Sequence, residues 1–202
     1  MPSRADIVTF HDEPPPPGEQ RYVPGAGPWT GARVDEPDER WGQWYDVLAE
    51  RVRGALGWRV LDLQHIGSTS VPGLAAKPVI DIDLVVADAA DETAYLPALE
   101  ARGFELQVRE PWWFEHRVLR HTDPRCHLHV FGPEAPEPVK HRIFRDWLRG
   151  NPDERDLYAA TKREAAEAAR AAGEHSMQYN ARKEKVVREI YARAFAAAGL
   201  VD

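Results

Sequence analysis

The residues best placed to do chemistry are two aspartates, Asp81 and Asp83, inside the apolar run VIDIDLVV at residues 79 to 86. Residues two apart on a strand point to the same face, so the two carboxylates stand side by side. Burying two like charges is costly unless a cation, a base or water compensates them. Upstream lies Gly67-Ser68, a small turn followed by the hydroxyls of Thr69 and Ser70. Such a turn brings backbone N–H groups close to a phosphate. Carboxylates that hold a metal, next to a turn that cradles phosphate, point to phosphoryl or nucleotidyl transfer. In that chemistry the protein positions reactants and stabilises charge, and a second metal ~3.5–4 Å from the first can align a hydroxyl with a nucleotide's α-phosphate. The bland alternative is that one aspartate caps a turn or pairs with Lys77 or an arginine.

Other residue types fill out the same chemistry. His127 and His129 alternate along one strand face, so both rings can enter a cleft, as metal ligands or as a general base; each can equally be a hydrogen-bonded, partly buried histidine. His65, just before the Gly-Ser turn, is read as steadying that turn through its ring hydrogen bonds. Phosphates need cations, and Lys77, Arg117, Arg120, Arg142, Arg145 and Lys183 are available, although exposed Lys and Arg are the norm. Tyr179 and Lys183 are one helical turn apart, which lets a ring and an ammonium meet a base and a phosphate together. No Gly-x-x-x-x-Gly-Lys-Ser/Thr loop is present, which argues against a P-loop kinase.

These residues need elements to position them. Trp41, Trp44, Tyr45, Leu48 and Val52 are spaced at threes and fours, which predicts a helix over 37–56 with its aromatic stripe in the core and Gly57 near its end. Strands are expected at 59–66 and 79–86, a helix at 90–102 closed by Gly103, and strands at 104–110, 113–120 and 126–131, antiparallel across turns at Pro111 and Asp123-Pro124. Helices follow at about 136–149, 152–172 and 176–198. The fold class is α/β, a mixed sheet flanked by helices, then a helical C-terminal part. Residues 1–33, with PPPPG at 14–18, read as extended or partly disordered. Their aromatics Phe10, Tyr22 and Trp29 are expected to pin the segment to the surface or to a partner subunit, making a homodimer plausible.

Composition sets the outer bounds. With 202 residues and 43% hydrophobic content, the chain can bury one good core. Its net charge of −7 leaves no sequence-wide footprint for nucleic acid or anionic membrane, though a local basic cleft is still allowed. One cysteine, Cys126, excludes an intramolecular disulfide and a four-thiolate zinc site. No run approaches the ~20 apolar residues of a membrane span, and the first ten residues lack the apolar core of a signal peptide, so a cytoplasmic location is expected.

Gly67-Ser68 followed by Asp81-Ile82-Asp83 resembles the pattern of the nucleotidyltransferase-fold superfamily. The longer string HIGSTSVPGLAAKPVIDIDLVV, with HLHVF at 127–131, resembles specifically the GrpB family, a branch of that superfamily. The likeness runs from about Val34 to Ala194 and includes Asp35 to Trp41, Arg142 to Leu148 and Tyr179 to Lys183. Ala181 stands where family members often carry Asp, and residues 1–33 have no family counterpart. The resemblance implies one nucleotidyltransferase-like domain over 34–198, helical from about 136. It also implies metal-dependent transfer of an NMP from an NTP to a hydroxyl of an unidentified small-molecule or protein acceptor. Asp81, Asp83 and His129 would be catalytic, with His127 beside them as a metal ligand. Gly67, Ser68, Thr69, Ser70, Lys77, Arg142, Tyr179 and Lys183 would bind nucleotide and phosphate. Where related enzymes supply a third carboxylate, GrpB-like sequences show histidine, which would lean the site from Mg²⁺ towards Mn²⁺ or Zn²⁺; Glu115 is the next candidate for that third place. Two other readings are a non-catalytic nucleotide-binding module and a metal-dependent phosphate-ester hydrolase. Fusions of GrpB-like domains to dephospho-coenzyme A kinase suggest nucleotide or coenzyme A metabolism by association.

Overall fold

The computed structural model describes residues 2–11 and 14–201. Five strands, β1 (Asp62–Ile66), β2 (Ile80–Val85), β3 (Glu105–Glu110), β4 (His116–Thr122) and β5 (Arg125–Phe131), form one sheet in the order β1-β2-β5-β4-β3. β2 and β5 run parallel at its centre and every other pair is antiparallel. The expected hairpins from β3 to β4 and from β4 to β5 are both present.

The period of two divides the central strands cleanly. Ile80, Ile82 and Leu84 of β2, with Cys126, Leu128 and Val130 of β5, join the main core beneath α2 (Arg40–Leu56). Trp41, Leu48 and Val52 of α2 are buried there, as its aromatic stripe predicts, while Trp44 and Tyr45 are half-buried at its edge. The opposite face carries Asp81 and Asp83 beside His127 and His129. Helices α4 (Glu137–Gly150), α5 (Pro152–Ala171) and α6 (Ser176–Ala197) cover it, joined by a second apolar cluster that includes Leu74, Leu148, Tyr158 and Ile190. No helix among the described residues is long and apolar enough to cross a membrane.

Three stretches differ from the sequence reading. The helix expected over 90–102 is a 3-10 turn at Glu92–Ala94 and a short α3 (Leu96–Glu100). Tyr95, with φ −134°, breaks between them, and Pro97 has no N–H to extend the first piece. The strand expected from 59 starts at Asp62, because Gly57–Arg59 continue the end of α2 as a 3-10 turn whose Arg59 Nε donates to the Leu56 carbonyl. β4 starts at His116 because Phe114 and Glu115 take positive φ, which no strand tolerates.

The N-terminal segment, read as extended or partly disordered, is folded onto the domain along most of its length. It contains the short α1 (Arg4–Val8), capped by the Ser3 hydroxyl. Phe10 meets Tyr191 edge-on at 5.3 Å, and Lys140 donates to the Thr9 carbonyl. Residues 21–23 bond to the edge of β3, and the Trp29 carbonyl accepts from Ser176 N–H. All three expected anchors, Phe10, Tyr22 and Trp29, thus engage their own chain.

Candidate functional site

A cleft of about 580 Å³ lies between the carboxylate-bearing face of the sheet, the Gly67 turn, helices α4 to α6 and residues 21–29. Gly67, Ser68, Thr69, Lys77, Asp81, His127, His129, Tyr179 and Lys183 line it. Asp83 lies beneath its floor, 1% exposed. Ser70 and Arg142 face elsewhere: the Ser70 hydroxyl donates to the Gly67 carbonyl, and Arg142 pairs with Asp62 at 2.8 Å. Among the other basic candidates, Arg145 holds the β1 backbone at His65, Arg117 is spent on Glu92, and Arg120 pairs with Glu105 at the cleft's outer edge. Glu115 is bound to Arg117 and does not line the cleft.

The Gly67 turn is shaped by the carboxylate behind it. Gly67 has φ +69°, and a Cβ there would sit 2.5 Å from Asp81 Oδ2. A side chain is therefore excluded twice over, by backbone conformation and by Asp81. Thr69 donates to the Val79 carbonyl and so must accept from His65 Nε2 at 3.1 Å, while the His65 ring stacks on Tyr45 at 4.6 Å. That is the turn-steadying role read from sequence. Burial pushes the His65 pKa down to about 4, against the attraction of Asp81, so the ring is neutral at pH 7. With Thr69 and Ser70 committed internally, Ser68 is the hydroxyl-bearing residue of the turn left to the cleft.

The two aspartates sit in different surroundings. Asp81 is half-buried and bonds to His127 Nδ1 at 3.3 Å; burial opposes its charge, but this bond and the nearby histidines and Lys77 lower its pKa to about 2. Asp83 Oδ2 accepts from His141 Nδ1 at 2.8 Å, whereas Asp83 Oδ1 is buried with no hydrogen-bond partner among the described residues. Burial works against a charged His141, yet Asp83 beside it raises its pKa to about 9, so the ring is a cation at neutral pH. His141, on α4, was not expected from sequence. It lies next to Arg142, which sequence reasoning singled out on that helix together with Arg145.

A second unexpected feature fixes the tautomer of His129. Glu110 Oε2 lies 2.8 Å from His116 Nδ1, and His116 Nε2 lies 3.0 Å from His129 Nδ1. The carboxylate can only accept, so His116 Nδ1 carries the proton and its Nε2 accepts from His129 Nδ1–H. Burial lowers the pKa of both rings, keeping them neutral. His129 Nε2 is left with its lone pair, the state a metal-binding or proton-accepting imidazole requires.

The donor chemistry suits a divalent cation: a carboxylate oxygen buried without a partner, a second carboxylate on the same strand face, and an imidazole lone pair fixed by its neighbours. The fit stops short of a preformed centre, because no group of three or more His, Cys, Asp or Glu among the described residues is gathered closely enough to hold a metal.

The far wall is cationic and aromatic. Lys77 lies 3.2 Å from the centroid of the Trp29 ring, and burial lowers its pKa to about 8. Lys183 lies 5.0 Å from the Tyr179 centroid, as the one-turn spacing predicts, and 5.9 Å from that of Tyr158. Lys162, also missed, is 2% exposed and lines the same wall. A signal for it existed: Tyr158 and Lys162 on α5 repeat the four-residue spacing of Tyr179 and Lys183 on α6.

A five-stranded mixed sheet with its carboxylates under a helical C-terminal layer defines a mixed α/β domain of one kind. Residues 32–193 match the model of the family described as GrpB protein, and the chain belongs to the GrpB family. It is 48% identical over 159 residues to the UPF0157 protein BH1888 of Halalkalibacterium halodurans, covering 79% of this chain and 80% of that one. It is also 32% identical over 191 residues to a dephospho-CoA kinase of Mycolicibacterium paratuberculosis, covering 81% of this chain but 46% of the kinase. The crystal structure of the conserved protein GrpB from Enterococcus faecalis superposes with a TM-score of 0.71 at 27% identity, covering 82% of this chain and 99% of that one.

Proposed function

We propose that the cleft binds a nucleoside triphosphate and that the protein transfers its NMP group to a hydroxyl of a small-molecule or protein acceptor. The observation that carries this reading is the pairing of Asp81 with His127 and of Asp83 with His129 across parallel central strands, under a turn that approaches Asp81 too closely for any side chain. Likeness to part of a protein named dephospho-CoA kinase supports a nucleotide-related setting. A divalent cation, Mg²⁺ or Mn²⁺ with Zn²⁺ also suited to imidazole, would be held by Asp81, Asp83 and His129 with His127 alongside, and would supply charge neutralisation on the phosphates.

In the transfer the acceptor oxygen bonds to the α-phosphorus, and the bond from that phosphorus to the oxygen bridging to the β-phosphate breaks. Pyrophosphate leaves with the electron pair, and the hydroxyl proton passes to a base or to water. His141 orients Asp83, His127 orients Asp81, and Ser68 with the lysines positions the phosphates. A non-catalytic nucleotide-binding module is the second reading, favoured by the lack of a gathered metal-ligand group among the described residues. Incubation with α-labelled NTPs, Mn²⁺ and candidate acceptors separates the outcomes. Transfer gives pyrophosphate and labelled acceptor. Free NMP would instead mark a hydrolase, and binding without turnover a module.

A further inference from the structure

Lys162 is the cleft residue whose position the chemistry above leaves unexplained. α5 carries it on the buried face that also holds Tyr158, Ala159 and Ala165. Its side chain is 2% exposed, and Nζ has no hydrogen-bond partner among the described residues. Among the described residues its aromatic contact is the face of Tyr158, with Nζ 4.6 Å from the ring centroid. Such a contact returns only a fraction of what it costs to take an ammonium out of water. Burial first, then the neighbouring charges of Lys183 and Arg163, push its pKa well down, and Asp81 opposes them from across the cleft. Methionine or leucine would fill this place without that cost.

The surroundings indicate what compensates it. Lys183 reaches the same Tyr158 ring from α6, so two ammonium groups flank one aromatic platform. Lys77 also lines the cleft and adds to the positive field felt at Lys183. Cations spread over several positions, rather than gathered at one point, suit a ligand whose negative charge is also spread. A chain of phosphates has that form and brings several negative charges, whereas a single phosphate or carboxylate brings fewer.

We propose that Lys162 and Lys183 form a recognition site for the terminal phosphates of a polyphosphate-bearing ligand, with Lys162 held without a partner until the anion enters. The inference rests on the reading of the cleft as a triphosphate site and assigns the residues that read the length of the phosphate chain. It makes Lys162 a binding residue of the cleft that Asp81 also lines.

The test uses the full chain and inorganic tripolyphosphate in the presence of a chelator, so that no metal contributes. Calorimetry should show tripolyphosphate binding at least tenfold tighter than orthophosphate. Lys162→Met should lose at least tenfold of the tripolyphosphate affinity, while its melting temperature without ligand equals or exceeds that of the wild type. Lys185→Met removes the same charge from a side chain 89% exposed and should bind like the wild type. Lys162→Gln is the second variant should the methionine chain not fold. Unchanged tripolyphosphate affinity in the Lys162 variants, or an equal loss in Lys185→Met, overturns the assignment. Binding through Lys162 with no nucleotide turnover under any metal would keep the anion site and remove the transferase reading. Turnover with an unchanged kcat/KM for NTP in Lys162→Met would keep the transferase reading and remove this site.

Discussion

At the residue scale, two side chains owe their chemistry to a neighbouring residue. Gly67 leaves room for the Asp81 carboxylate, and Glu110 dictates through His116 which nitrogen of His129 keeps its lone pair. Gly67→Ala should destabilise the fold by about 1–3 kcal/mol, because φ +69° with ψ −173° is a combination essentially confined to glycine, and should weaken Mn²⁺ binding by displacing Asp81. Chemical denaturation and calorimetry check both halves, and a variant as stable and as tight as the wild type would refute the account of the turn. Glu110→Gln replaces an obligate acceptor by an amide that donates as readily as it accepts, so the His129 tautomer is no longer dictated. Mn²⁺ affinity should fall about tenfold with little change in melting temperature; equal affinity would show that the relay does not matter. Gly67 and Asp81 were legible in the sequence as a turn and a strand carboxylate close together along the chain, and His129 through its alternation with His127 on one strand. Glu110, His116 and His141 were not, because what matters about them is a hydrogen bond to a residue on another element, and no local pattern marks it.

At the scale of elements, alternation on β2 and β5 puts Asp81, Asp83, His127 and His129 on one face and Ile80, Ile82, Leu84, Cys126, Leu128 and Val130 on the other. That period was readable, as were the hairpins and the long amphipathic helices, since each is written within a dozen residues. Parallel pairing of β2 with β5 joins segments some forty residues apart, and it is this pairing that sets His127 against Asp81 and His129 against Asp83. The helix expected over 90–102 failed for a local reason, the break at Tyr95 and Pro97. β1 and its turn depend on a neutral His65, which yields a pH test. Its folded pKa of about 4 lies below the ordinary value of 6.5, so the unfolded chain takes up the proton first. The stabilisation is complete above pH 6.5 and is lost as pH falls towards 4. Between pH 7 and pH 5 the wild type should lose about 2 kcal/mol more than His65→Gln, measured by urea denaturation. Parallel losses in the two proteins would place the His65 proton elsewhere.

At the scale of the whole molecule, a chain of net charge −7 gathers Lys77, Lys162 and Lys183 in one cleft, so its overall charge conceals a local cationic site. The N-terminal segment, mostly outside the family region at 32–193, helps to build that cleft through Arg21, Tyr22 and Trp29. Its proline-rich composition concealed this, because its order comes from contacts with distant elements such as Tyr191, β3 and Lys77. Removing residues 1–31 should leave the main core intact, since none of the segment's described residues belongs to it, but should strip the buried Lys140 of its Thr9 partner and open one wall of the cleft. Circular dichroism should show a folded protein melting several degrees lower, and calorimetry a weaker nucleotide affinity; full affinity in the truncated chain would show that the wall is dispensable. The central claim is that Asp81 and Asp83 hold a metal that meets a nucleotide in this cleft. Anomalous diffraction at the manganese edge, from crystals grown with Mn²⁺ and a non-hydrolysable NTP analogue, tests it most directly. The expected result is a manganese peak roughly 2.0–2.6 Å from carboxylate oxygens of Asp81 and Asp83, with the terminal phosphates turned towards Lys162 and Lys183. A nucleotide bound outside the cleft, or a cleft nucleotide with no manganese at the aspartate pair, would contradict it.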